Sequence, residues 1–243
     1  MARRAIGRRG VRLALVAAVA FIAVLAATWR VSRAPCFVLV GAVTCRVEMA
    51  EPLVGLSFDD GPTDLGVDTV LPMLERAGVR ATFFLVGEQA AVRPDLVRRL
   101  IAAGDEVGNH SWRHERMLGL TRSTYPAEIA WTTAVLRQAG ARPVLFRPPF
   151  GKKLTGLPLA VRDAGLTMVT ADVEEPDTTD PRVYADHMLV AIRPGSIVGF
   201  HVMFRANATA RAALPLVLAG LKARGLRPVP VGELLARSRA AGR

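Results

Sequence analysis

The sequence is poor in cysteine, in histidine and, over its first fifth, in acid. Two cysteines in 243 residues exclude a disulfide-stapled miniprotein, and a four-cysteine zinc module cannot be built from two. No internal repeat is visible, which excludes a solenoid. No acidic residue precedes Glu48, whereas eight arginines do: Arg3, Arg4, Arg8, Arg9, Arg12, Arg30, Arg33 and Arg46. Beyond them 24 basic residues face 21 acidic ones, so the net charge of +11 belongs to a leader. It is no binding face for nucleic acid. With 51% hydrophobic residues, the rest is enough chain for one globular domain with a full core.

The leader has the form of an export signal. A basic stretch, residues 1–12, runs into fifteen uninterrupted apolar residues, Leu13 to Ala27, extending to Trp29. A cleavable core spans about 7–15 apolar residues and a membrane-crossing helix about 17–25. Val24 and Ala26 would suit a signal peptidase, but Trp29 and Arg30 form an interfacial stop and favour an uncleaved anchor over residues 13–29. The bulk of the chain then lies outside the cytoplasm, single-pass or secreted, where Cys36 and Cys45 can pair or stay as buried thiols. The residues between them read as two short strands turning near Gly41, making 30–50 a linker with a short hairpin.

From Glu51 to about residue 239 short apolar strands alternate with amphipathic helices. The pattern predicts strands at Leu53–Phe58, Ala81–Val86, Glu106–Asn109, Val144–Phe146, Leu166–Ala171, Ser196–Phe200 and Leu226–Pro228. Helices follow near Val67–Ala77, Pro94–Ala103, Thr124–Ala139, Leu157–Ala164, Pro181–Ile192, Thr209–Ala223 and Gly232–Ser238, several stopped by glycine. Seven such units in series mean an α/β fold with a largely parallel sheet, open or rolled into a barrel. Working residues then belong in the loops that leave the carboxyl ends of the strands.

Those loops hold the unusual residues. Strand one leaves through Asp59-Asp60-Gly-Pro, strand three through His110-Ser-Trp-Arg-His114 and strand four through Arg147-Pro-Pro-Phe150-Gly. Strand five leaves through Asp172-Val-Glu-Glu-Pro-Asp, and strand six runs into His201. One helical turn between His110 and His114 would put both imidazoles on one metal. Asp60 or Asp59 could complete a facial set of three, and such nitrogen and oxygen ligands suit Zn²⁺ without excluding Co²⁺, Ni²⁺ or Mn²⁺. His187 has no partner motif. Glu174, Glu175, Asp177 and Asp180 read as a solvated acidic loop with no assigned role.

These residues resemble the polysaccharide deacetylase family, the NodB-homology domain of carbohydrate esterase family four. Ser57-Phe-Asp-Asp-Gly-Pro62 is similar to its first motif, His110-Ser-Trp-Arg-His114 to its second and Arg147-Pro-Pro-Phe150 to its third. The fourth motif, of Asp-x-x-Asp-Trp type, meets Asp172-Val-Glu-Glu-Pro176, and the fifth, Leu-x-His, meets Gly199-Phe-His201. The tryptophan and leucine that the family uses around the acetyl methyl are therefore missing.

The resemblance implies a distorted (β/α) barrel and one divalent ion held by Asp60, His110 and His114. It also implies Asp59 as general base, Arg147 forked onto Asp59, the Phe150 N–H at the oxyanion, and His201 as general acid partnered by Asp172. The implied activity is N-deacetylation of an amino-sugar polymer of the envelope, peptidoglycan or chitin-like. Alternatives are a deformylase or deacylase of a lipid-linked amino sugar, a glycolipid substrate, and a silent glycan-binding domain.

Overall fold

A computed structural model of the chain describes residues 8–32 and 34–241. Arg3, Arg4 and Arg33 of the basic leader lie outside the described residues. The helix α1, Arg8–Val31, comes first. Its stretch Val11–Val31 has a mean hydropathy of 2.4, and at 1.5 Å per residue its 21 residues reach about 30 Å, the thickness of a bilayer's hydrocarbon core. Its side chains from Val11 to Val31 are all exposed, and its last turn meets the rest of the protein where the Lys152 ammonium lies over the Trp29 ring.

The remainder alternates as expected: β1 Leu53–Asp59, α2 Asp64–Ala77, β2 Thr82–Leu85, α3 Gly87–Val92, α4 Pro94–Ala102 and β3 Glu106–Asn109. Then follow α5 Thr124–Gln138, β4 Leu145–Phe146, α6 Gly156–Asp163, β5 Thr167–Met168 and α7 Pro181–Ala191. The chain ends with β6 Ile197–His201, α8 Ala208–Ala223, β7 Arg227–Val229 and α9 Val231–Ala241. The short α3 is the one helix among them that hydropathy patterning does not mark. All seven strands are parallel, in the order β5-β4-β3-β2-β1-β6, with β7 also on β1. The sheet curls until Val173, just past β5, bridges Val198 of β6, giving a distorted barrel closed by a thin seam.

Every residue of β1 is buried, which is why it reads as a nearly continuous apolar run. Its alternate side chains serve different layers. Val54, Leu56 and Phe58 point outward and pack with Phe83 and Phe200 against Val67, Leu74, Leu96 and Leu214 of the surrounding helices. Leu53 points inward, joining Phe84, Leu145, Ile197 and Val229 under Leu234 and Leu235 of α9. Toward the carboxyl ends the inward positions turn polar, with Ser57, Asp59 and Arg147 all buried.

The hairpin expected between Cys36 and Cys45 does not form. A disulfide joins the two cysteines, and the segment is drawn into the barrel seam instead. Thr44 bridges Val169 beside β5, and Arg46 bridges Ser196 beside β6. The exposed backbone groups at the barrel's weak edge thereby gain partners that a hairpin would have kept to itself.

Candidate active site

The loops at the carboxyl ends of β1, β3, β4 and β6 converge on a cleft of about 300 Å³ lined by Asp59, His110, Arg147, Phe150, Glu175 and His201. A larger cleft of about 990 Å³ lies between α5 and α6, but it brings no histidine and a single carboxylate, Asp163. Chemistry, and not size, selects the smaller one.

One corner holds Asp60, His110 and His114, each offering a ligand atom within 4.8 Å of the others. Asp60 Oδ1 is 3.1 Å from His114 Nε2 and 3.7 Å from His110 Nε2. It is buried, yet meets no donor in hydrogen-bonding geometry among the described residues. An orphaned buried carboxylate oxygen facing two imidazole nitrogens is what a divalent cation would satisfy. Nδ1 of His110 lies 2.8 Å from the Arg147 carbonyl, which can only accept. Nδ1 therefore carries the hydrogen, and Nε2 keeps its lone pair for the common point. Burial pushes His110 down to about 4, so it is a neutral ligand at ordinary pH. Burial alone would raise the Asp60 carboxyl, but nearby His114, with the charges of His110 and His201, outweighs it and holds Asp60 below the usual range.

The helical turn expected for His110–His114 is absent. The segment is a loop in which Ser111 and His114 adopt left-handed backbone, φ 64° and 57°. Only four non-glycine residues among those described have positive φ, and Asp60 (69°) and Phe150 (53°) are the other two. All four border this corner. Each such conformation costs on the order of 1 kcal/mol or more and persists only where surroundings enforce it.

Here the enforcement is visible. Buried Glu128 accepts from the backbone N–H groups of Trp112 and Arg113 at 2.9 and 3.0 Å. The Asn109 side chain accepts from Ser111 N–H at 2.9 Å, and Ser111 Oγ accepts from His114 N–H at 3.1 Å. Gly87 is needed alongside, since a Cβ there would sit 2.3 Å from the Trp112 ring. Glu128 escaped the sequence reading because a lone glutamate on a helix carries no motif.

Beside this corner Arg147 donates from Nη1 to Asp59 Oδ1 at 2.6 Å and to Ser57 Oγ at 2.8 Å, its guanidinium lying 4.1 Å from the Phe84 ring centre. The two-pronged fork expected on Asp59 is not formed. One nitrogen serves both acceptors, while Nε and Nη2 have no hydrogen-bond partner among the described residues, because the ring of Phe84 sets the guanidinium's plane. The Phe150 ring packs 4.7 Å from that of His114, and the Arg116 guanidinium lies 4.6 Å from the Phe150 ring centre.

The opposite corner departs from expectation. His201 stands beside Asp59 in the β1–β6 register, and its partner is Glu175, not Asp172. Glu175 accepts from His201 Nδ1–H, from the His201 backbone N–H at 3.0 Å and from the Tyr184 hydroxyl. Burial pulls the His201 imidazole down, but the Glu175 hydrogen bond, with the charges of Asp59, Glu175 and Asp60, raises it to about 9. Asp172 lies lower in the barrel and accepts from Ile197 N–H at 2.8 Å and Ser196 Oγ at 3.1 Å. It latches the seam where β6 begins. The three residues from Asp172 to Glu175 carry the chain from the seam up to the rim, so the fourth position, not the first, reaches the histidine.

The sequence model of the family described as polysaccharide deacetylase matches residues 46–169. The chain belongs to the polysaccharide deacetylase family. It is 31% identical over 184 residues to the peptidoglycan-N-acetylglucosamine deacetylase PgdA of Listeria monocytogenes, covering 74% of this chain and 38% of that one. It is 30% identical to a peptidoglycan-N-acetylglucosamine deacetylase of Bacillus cereus, covering 80% and 93%. Among solved structures, a mutant of BA3943 from Bacillus anthracis, a CE4 family pseudoenzyme with restored enzymatic activity, superposes with a TM-score of 0.75 at 26% identity, covering 82% and 73%. This polysaccharide deacetylase chain thus spans well under half of the Listeria protein and nearly all of the Bacillus cereus one.

Proposed function

We propose that the chain is a divalent-metal-dependent N-deacetylase of amino sugars in an envelope glycan, tethered to the membrane by α1. The observation that carries this reading is the convergence of Asp60, His110 and His114 on one point, with the Asp59–Arg147 pair beside it and the Glu175–His201 pair across the cleft. Its family relatives that act on peptidoglycan and on chitooligosaccharides support the substrate class.

Asp60, His110 and His114 would hold the ion, with Zn²⁺ the best match to two nitrogens and one oxygen. When bound, it supplies an acidified water and polarises the amide carbonyl. Asp59 takes the proton of the attacking water. Arg147 donates to its Oδ1, which aims the carboxylate and leaves Oδ2 to receive the proton. The water oxygen bonds to the carbonyl carbon, and the N–H of Phe150, in its left-handed turn, faces the developing oxyanion. His201, still protonated at neutral pH, gives its proton to the sugar nitrogen as the carbon–nitrogen bond breaks. The products are a free amino sugar and a short carboxylic acid.

The test is acid release by the full chain from acetylated glucosamine oligomers. Release should stop with a chelator and return with Zn²⁺. Asp59→Asn should lower kcat by about 10²–10⁴-fold while metal stays bound. Oligomer binding without any acid release would place the chain with silent members of the family and sink the proposal.

A further inference from the structure

The seat of the anchor on the catalytic domain bears on which amino sugar the site can reach. Trp29 in the last turn of α1 and Ser32 just after the helix meet the domain, and both touch Lys152. The Lys152 ammonium lies 3.4 Å from the Trp29 ring centre, donates to the Trp29 carbonyl at 3.2 Å and to Ser32 Oγ at 2.8 Å, and is 1% exposed. A buried cation on the last carbonyls of a helix suits the negative end of its dipole. The next residue repeats the device, Lys153 donating to the Ala34 carbonyl at 2.8 Å. Thr170 donates to the Pro35 carbonyl at 2.8 Å, and Pro35 lines the same cleft as Asp59, His110 and His201.

Lys152 and Lys153 directly follow the Arg147–Gly151 loop, at the carboxyl end of β4. The anchor is therefore clamped to the catalytic face of the barrel, while the amino-terminal face lies at the far end under α9. From Val31 to Pro35 is four residues, which can span no more than about 14 Å. A headgroup layer takes up roughly 5–8 Å of that. The cleft can then open only about one or two sugars above the lipid headgroups.

We infer that the catalytic face looks onto the bilayer and that the substrate is an amino sugar carried on a membrane lipid, not a glycan strand out in the wall. The inference rests on the anchored-deacetylase reading above and narrows its substrate.

The experiment uses the full chain in vesicles of phosphatidylethanolamine and phosphatidylglycerol. Acid release is measured from N-acetylglucosamine linked through pyrophosphate to a polyprenyl chain in the same vesicles, and from soluble tetra-N-acetylchitotetraose. A second chain carries a ten-residue Gly-Ser insert between Val31 and Ser32, which keeps the anchor but frees the domain from it. The native chain should favour the lipid-carried sugar by at least about tenfold in kcat/KM, since a fixed face removes the cost of orienting the two. The insert should abolish most of that preference and leave the tetramer rate unchanged, which also shows that the domain is folded.

Equal rates on both substrates, or a preference that survives the insert, overturn the inference and leave the deacetylase reading intact. No acid from either substrate overturns both. Independently, a nitroxide at Glu115, on the catalytic face, should collide more with headgroup-bound Ni²⁺ than one at Arg224, at the opposite end. The reverse order overturns the inference as well.

Discussion

The two corners of the cleft are built in different ways. The corner of Asp60, His110 and His114 is largely buried, follows two strands, β1 and β3, and is held by hydrogen bonds that Asn109, Ser111 and Glu128 accept from the loop backbone. The His201 corner is open, with that side chain 45% exposed, and hangs on the single carboxylate of Glu175. A set of ligands tolerates little change of residue type or position, because every member must point at one atom. A carboxylate that only orients and charges an imidazole can be Asp or Glu and can approach from any neighbouring backbone position. Departures from the family's motifs accordingly gather at the second corner, in Glu174-Glu175-Pro176 and Gly199.

The largest effect should come from breaking the first corner. His114→Ala leaves two ligands, and the bound divalent ion, counted by elemental analysis of the purified full chain, should fall from one per chain to well below. With it goes Lewis-acid stabilisation worth several kcal/mol, so kcat/KM should drop by about 10³-fold or more. Full metal content and near-native rate in this variant would mean that the corner is not a metal site.

The second corner should fail more gently and in a pH-dependent way. Glu175→Gln removes the main influence that raises His201 to about 9, returning it toward an ordinary histidine value of about 6.5. The native enzyme loses its acid only as pH rises through about 9. At pH 8 the variant should be about 30-fold slower, and at pH 7 only about 4-fold, because the two protonated fractions converge as pH falls. An alkaline limb that stays near pH 9 would free Glu175 of this role.

The sequence made the strand order of chemistry legible, and for a physical reason. In a parallel barrel each strand's carboxyl end opens to the same side, so Asp59, His110, Arg147 and His201 share a face once the strands are found. β1 stands out most clearly, since burial on both faces makes it a nearly continuous apolar run. Three features were hidden. The His110–His114 spacing suits a helical turn, but convergence comes from left-handed residues at 111 and 114, which no periodicity signals. Residues 36–45 alternate like a hairpin, yet the unpaired seam between β5 and β6 competes for their hydrogen bonds and wins. The partner of His201 depends on how far the three residues after Asp172 climb from the seam to the rim, a distance that composition does not encode.

The seam itself is the next thing to weaken. The disulfide Cys36–Cys45 closes a loop of about ten residues, which restricts the unfolded chain by about 2–3 kcal/mol. Paired Cys→Ser substitutions should lower the free energy of unfolding by that amount in urea titration. Because Pro35 lines the cleft next to this loop, KM should rise a few-fold, with kcat little changed. A stability change below about 0.5 kcal/mol would show that the seam is held by its backbone bridges alone.

The smallest effect sharpens the comparison most. Asp172→Asn keeps an oxygen that can accept from the Ile197 N–H and gives up the charge and the acceptor for Ser196 Oγ at the foot of the seam. Burial already raises the Asp172 carboxyl, so removing its charge costs little. Stability should change by about 1 kcal/mol or less, and the alkaline limb of kcat/KM should remain near 9, where Glu175→Gln moves it by more than two pH units. Both residues are carboxylates of the same short stretch, three positions apart in sequence. If the limb moved with Asp172 instead, the carboxylate that holds the proton on His201 would be the lower one, and the loop would have to sink toward the seam to bring the two together.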